Sequence, residues 1–269
     1  MLENYIAVSG VSSRADVNYV CDEFSKAGFN NTNYVPMIGI FANSKSIRDE
    51  SDINRYTNIS KIKELIETLD NRAIPFIEYF PNHATNLFDQ VMGLFNWLYN
   101  SDSCKVLQVN LNWPQVGDIK KIKKRFDNMK IIMQVPHTLA PMDEMLERVE
   151  KYESSINGIM LDPSTGRLSS FYSTNLIDIY GAIKERFPSL NVGFSGLITE
   201  HNIEHRLGQL SSSIKNMDFS ISAGEGLRNK TGLQFGEDTL EPDKVHRYIK
   251  TSGKILLKET ESKITQKQN

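Results

Sequence analysis

The chain has 269 residues, 39 % of them hydrophobic and 24 % charged, with a formal net charge of −2. That composition supports a sizeable core and excludes a disordered chain, while the near-neutral balance leaves no electrostatic footprint for nucleic acid or an anionic membrane. No apolar run reaches the roughly 18 residues a spanning helix needs, and Met1–Val8 lacks the basic region and long apolar run of a signal peptide. The two cysteines, Cys21 and Cys104, form neither a metal-ligand pair nor a disulfide framework and read as buried free thiols. A cytoplasmic protein is expected, a monomer or homodimer with no membrane or nucleic-acid partner.

Strand and helix patterns alternate from end to end. Tyr5–Val8 reads as a first buried strand. Ser13 and Asp16 have capping-box spacing ahead of a helix with Val17, Val20, Cys21, Phe24 and Ala27 on one face and Gly28 as its stop. Val35–Phe41 reads as the second strand. Asn43–Asn58 is polar and aperiodic, longer than a normal strand-to-helix connection, and so a candidate cover for a site. Ser60 is the expected cap of a helix over Lys61–Arg72, and Ile74–Tyr79 is the third strand. Leu87–Tyr99 is an apolar helix, Val106–Val109 the fourth strand, and Ile119–Phe126 a helix whose Lys120–Arg125 run reads as a solvated face.

Lys130–Val135 is the fifth strand, Met142–Tyr152 a helix and Gly158–Leu161 the sixth strand. Thr174–Phe187 is a helix stopped by Pro188, followed by a strand at Val192–Phe194 and a short helix at Asn202–Leu210. Phe219–Ile221 is the eighth strand and Pro242–Leu257 the final helix. Short connections and an unbroken composition predict a single (β/α)8 barrel over residues 1–258 and a polar, frayed tail over 259–269, with a doubly wound open sheet as the alternative.

Three of these strands end alike. Ile156–Gly166, Asn191–Ile198 and Met217–Gly226 each begin as an apolar run and stop abruptly in Asp, Ser and Gly. A buried strand is apolar on both faces, and small polar residues mark the point where the backbone leaves the sheet and its N–H groups open outward. On adjacent strands, such endings would set a carboxylate beside two small-residue turns along one rim. That arrangement suits a phosphate ester held next to an acid. The turns at Gly196–Leu197 and Ser222–Ala223–Gly224 are the expected phosphate cradle, although tight turns needing glycine at positive φ give the same pattern.

Taken in order, these segments resemble the phosphoribosylanthranilate isomerase family, within the wider group of ribulose-phosphate-binding barrels. Val8–Val11 is similar to that family's first-strand ending, Leu107–Asn110 to its fourth strand and Met160–Asp162 to its sixth. Thr165–Gly166 is similar to the turn behind the sixth strand, Phe194–Ile203 to the seventh strand with its helix start, and Ile221–Gly224 to the eighth. The resemblance implies an Amadori rearrangement of an aminated ribose phosphate, in which a general acid protonates the furanose ring oxygen and a general base removes the C2′ proton. It assigns the acid to Asp162 and the base to Ser9.

Ser9 stands where the family has a cysteine, and a hydroxyl is a far weaker acid than a thiol, so it needs an activating partner. His137 and Glu78, both at strand ends, are alternative bases. Asn110 replaces a family histidine, and Lys45 occupies the segment of an arginine that pairs with the anthranilate carboxylate, giving a point charge in place of a bidentate fork. Arg48 lies near it. Arg228, beyond the eighth strand, is read as reaching a second anionic group or as a surface charge. His201 and His205 share a helical face, but Asn202–Glu204 between them is not the zincin pattern, and neither a Walker loop nor a nucleophile elbow occurs. No metal and no cofactor are expected. Three outcomes remain open: an isomerase with an altered base, a sugar-phosphate lyase or aldolase, and a non-catalytic barrel that binds a small phosphorylated ligand.

Overall fold

A computed structural model describes residues 2–29, 33–46, 56–81, 86–100, 103–110, 113–136, 141–162, 173–196, 198–214, 216, 218–229 and 238–267. Eight strands close into a barrel in sequence order: β1 (Tyr5–Ser9), β2 (Val35–Ala42), β3 (Ile74–Tyr79), β4 (Val106–Val109), β5 (Lys130–Pro136), β6 (Gly158–Asp162), β7 (Asn191–Phe194) and β8 (Ser220–Ala223). Every pairing is parallel, including β1 with β8, which seals the cylinder. Helices α1 (Arg14–Lys26), α2 (Ile59–Leu69), α3 (Leu87–Asn100), α4 (Val116–Arg125), α5 (Met142–Glu150), α6 (Ser173–Arg186), α7 (Ile203–Ser213) and α8 (Pro242–Lys267) alternate with the strands. The protein is a single (β/α)8 barrel of the α/β class.

The twofold alternation of each strand sorts its side chains between two cores. Outward-facing residues such as Ile6, Val8, Ile38, Ile40, Leu107 and Val109 pack with the helices in one large cluster. Inward-facing Tyr5, Ala7, Met37, Phe76, Val106, Ile132 and Met160 form a separate apolar cluster inside the barrel. Removing a side chain the size of Phe76 or Met160 from water contributes about 1.5–3 kcal/mol, so this inner plug adds to the stability supplied by the much larger outer cluster. Continuing the same inward register toward the strands' C-terminal ends, the side chains become polar: Ser9, Glu78, Gln108, Gln134, Asp162 and Ser222. The interior is therefore largely apolar in its lower and middle layers, where Ser220 donates to Asn191 within the barrel, and hydrophilic at its mouth.

Local signals explain several element ends. Ser13 caps α1, its hydroxyl accepting from Asp16 N at 3.0 Å while Asp16 Oδ2 accepts from Ser13 N at 3.0 Å. Gly28 follows that helix at φ +84°, in the left-handed region that a glycine occupies without strain. The cap of α2 differs from expectation. Asn58, not Ser60, accepts from Lys61 N, and the helix begins at Ile59 and ends at Leu69. The last helix runs further than the Pro242–Leu257 span expected for it, through Lys267. A two-stranded antiparallel ribbon, β9 (Arg228–Asn229) with β10 (Thr239–Leu240), follows the barrel and was not anticipated.

Candidate active site

Four strands supply one connected polar network at the barrel mouth. Ser9, at the end of β1, donates its hydroxyl hydrogen bond to Glu78 Oε1 on β3. The other carboxylate oxygen, Oε2, accepts from Asn110 Nδ2 at 3.0 Å. Asn110 Oδ1 in turn accepts from Gln108 Nε2 at 2.9 Å. On the far side, Ser9 Oγ lies 3.0 Å from Ser222 Oγ on β8, where either hydroxyl can donate. Ser9, Ser222 and Glu78 are all buried, with 5 % exposure for the glutamate. A carboxylate so far from bulk water requires hydrogen bonds to replace its hydration, and donors on both oxygens meet that need.

The sequence makes this meeting possible at Gly39. Strand β2 lies between β1 and β3, and Gly39 is its residue in register with Ser9 on one side and Phe76 on the other. A Cβ at position 39 would stand 2.8 Å from Ser9 Oγ and 2.7 Å from Phe76 Cζ. With no side chain there, Ser9 reaches across β2 to Glu78.

Asp162 ends β6, half-buried, and accepts at Oδ2 from Gln134 Nε2 on β5 at 2.6 Å. The acid of the resemblance is thus a strand-end carboxylate at the C-terminal mouth, where catalytic groups of barrels sit. Glu78 and Asp162 stand on strands separated by β4 and β5.

The remaining candidates divide by position. Gly196 and Gly224 follow the adjacent strands β7 and β8 and are half-buried. Gly196 has φ +79°, so a backbone requirement for glycine exists there, and its carbonyl accepts from Arg206 Nη1 at 3.1 Å. Gly224 has no such requirement, but a Cβ on it would approach Ser9 Cβ to 3.1 Å. Ser222 faces the mouth, whereas the Ala223 side chain packs into the outer core. Lys45 is exposed, its backbone N–H donating to Asn43 Oδ1 in the turn after β2. Leu197, His137, Arg48, Thr165 and Gly166 lie outside the described residues, as do residues 47–55 of the Asn43–Asn58 segment.

Arg228 is no surface charge, which corrects one of its two expected readings. It is 2 % exposed and donates to the carbonyls of Gly10 and Asp238 at 2.7 Å each. Its Nε stands 3.3 Å from Asp238 Oδ2. Burial holds this guanidinium below its ordinary pKa, although the neighbouring Asp238 and Asp16 carboxylates act in the opposite direction. The residue ties the β8 turn to the end of β1, immediately behind Ser9. Neither thiol is placed for catalysis. Burial pushes Cys104 up to about 12 and also raises Cys21, and Cys104 lies before β4, at the end of the barrel opposite the mouth.

An aromatic group covers the β2–β3 side of the mouth. Phe41 and Phe80 meet edge-to-face at 5.1 Å, and Tyr56 meets Phe80 at 5.5 Å. Thr57 N donates to Phe41 O at 3.1 Å, so the far end of the segment after β2 returns to the strand it left. Among the described residues, no group of three or more His, Cys, Asp or Glu side chains could hold a metal, and no helix is long and apolar enough to cross a membrane. Compared with models of known protein families and with curated proteins, the sequence matches none.

Proposed function

We propose that this barrel is an acid–base isomerase of a small phosphorylated sugar derivative, with Asp162 as general acid and Glu78 as general base. The observation that carries the reading is the Ser9–Glu78–Asn110 arrangement. A serine hydroxyl cannot supply an anion near neutral pH, and a carboxylate is far too weak a base to create one from it. Glu78 needs no such activation. With Ser9 and Asn110 donating to it, the carboxylate is the basic atom pair of the network, and Ser9 orients it.

The chemistry fits the residues one step at a time. Asp162, its carboxyl group oriented by the Gln134 amide at Oδ2, delivers a proton to the ring oxygen of a furanose. Ring opening leaves an imine that acidifies the neighbouring C–H bond. Glu78 takes that proton, the electron pair left behind forms the C1′=C2′ double bond of an enol-amine as the protonated imine nitrogen becomes an amine, and the ketose follows when C1′ gains a proton and the C2′ hydroxyl loses its own. The glycine and serine turns after β7 and β8 would hold the phosphate through backbone N–H groups, and the Phe41–Phe80–Tyr56 wall would face the less polar end of the substrate. An aminated ribose phosphate such as phosphoribosylanthranilate combines these features.

The test is turnover of phosphoribosylanthranilate and of a panel of aldose phosphates by the purified protein, with thermal stabilisation recorded in parallel. Glu78→Gln and Asp162→Asn should each lower kcat by about 10²–10⁴-fold, the usual contribution of a positioned acid or base. Turnover that survives both substitutions overturns the assignment. Stabilisation by sugar phosphates without turnover favours a barrel that binds such ligands and does not convert them.

A further inference from the structure

The polar groups at the barrel mouth are not equally covered. Ser9, Ser222 and Glu78 are between 3 % and 5 % exposed, whereas Asn110, Gln134 and Asp162 are half-buried. The covered groups stand on β1, β8 and β3, and the open ones at the ends of β4, β5 and β6. The mouth therefore has a closed side and an open side.

Phe41 closes the first. The alternation that turns Met37 and Gly39 inward turns Phe41 inward as well, one step nearer the mouth and in register with Glu78. Its ring reaches from β2 over the end of β1. A Cβ on Gly10 would stand 2.9 Å from Phe41 Cε2, and a Cβ on Gly224 would stand 3.7 Å from Phe41 Cζ and 3.1 Å from Ser9 Cβ. Two positions without side chains thus admit the ring tip beside Ser9. The Ser9–Glu78 bond crosses β2 at Gly39, with the Phe76 ring against that glycine and Phe41 at the next inward position above it. Phe41 is itself buried, yet it belongs to neither the outer nor the inner apolar cluster and packs edge-to-face on Phe80.

We propose that Phe41 is a shield that decides from which side a ligand meets Glu78. Its ring closes the β1–β2 approach, so the carboxylate is reached past Asn110, Gln134 and Asp162. The reacting carbon then lies between Glu78 and Asp162, and Ser9 supports the base without touching the ligand. This assignment of sides rests on Glu78 being the base of the proposed reaction.

Thiol alkylation reads the shield without any substrate. Ser9→Cys and Asn110→Cys, made singly, place a thiol on either side of Glu78, against a background of Cys21 and Cys104, which are both buried. Iodoacetamide should alkylate the Asn110→Cys protein quickly and the Ser9→Cys protein slowly. Adding Phe41→Ala to Ser9→Cys should speed its alkylation by about 10–100-fold, the opening equilibrium that an apolar ring of this size imposes when it must leave its site. Phe41→Leu, which keeps an apolar cover, should speed it far less. Mass spectrometry gives the rates at Cys21 and Cys104 in the same samples, and an acceleration that they share would mean general unfolding and overturn the shield. Equal rates at the two introduced thiols, or no acceleration by Phe41→Ala, would overturn it as well. Turnover that survives Glu78→Gln would reject the base and leave the alkylation result standing, so the two failures are told apart.

Discussion

Ser9 and Glu78, 69 residues apart in the chain, are joined by a hydrogen bond inside the barrel. The bond crosses an intervening strand at a glycine, and it ties the hydroxyl at the end of β1 to a buried carboxylate on β3.

Gly39 is therefore a residue on which both fold and site depend. Gly39→Ala would place a methyl group within 3 Å of Phe76 Cζ and Ser9 Oγ, and overpacking of this kind costs about 1–3 kcal/mol. Urea denaturation should show that loss. Whatever turnover the wild type has should fall by more than the fraction unfolded, because the displaced atom is Ser9 Oγ.

The cap of α2 gives a cleaner test of local structure. Asn58 Oδ1 accepts from Lys61 N at 2.8 Å, so Asn58→Ala should destabilise the protein by about 1 kcal/mol. Ser60→Ala lies inside the helix and should change stability by less than half as much. Equal effects in denaturant titrations would contradict the cap assignment.

Glu23 links α1 to α8. It is buried and bonded to His246 Nδ1 at 2.6 Å and to Lys26 Nζ at 2.8 Å. Burial alone would raise its pKa, but the hydrogen bonds and charges of Lys26 and His246 outweigh burial and hold it below the ordinary glutamate value. A depressed carboxylate contributes stability that is present above its unfolded value and lost as pH falls through its folded value. Stability measured from pH 6 down to pH 3 should therefore fall more steeply in the wild type than in Glu23→Gln. Parallel curves would show that the linkage lies elsewhere.

The fold was legible because its signals are local. Apolar runs such as Ile74–Tyr79 and the Ser13–Asp16 box each declare an element within a few residues, and eight repeats of strand and helix leave a barrel as the economical solution. Asp162 was legible for the same reason, as the polar end of an apolar run. The Ser9–Glu78 bond was not, since it exists only after β1, β2 and β3 are in register. A signal was nonetheless present: Glu78 is a lone carboxylate in an apolar strand, two residues after Phe76 and so on the same inward face. Arg228 misled because a charge beyond a turn normally faces water, and its burial depends on the carbonyls of Gly10 and Asp238, which the barrel's closure brings to it. The extension of α8 was hidden by the polarity of residues 259–267, where apolar periodicity ends although the helix does not.

The measurement that tests the account most directly is solvent deuterium incorporation, followed by NMR while the protein converts an aminated ribose phosphate in deuterated water. Wild-type protein should place deuterium on C1′ of the product, the carbon that gains a proton as C2′, having lost its own, becomes the carbonyl. Glu78→Gln should abolish that exchange, and Ser9→Ala should slow it without abolishing it. Exchange that persists unchanged in Glu78→Gln would contradict the assignment of Glu78 as the base.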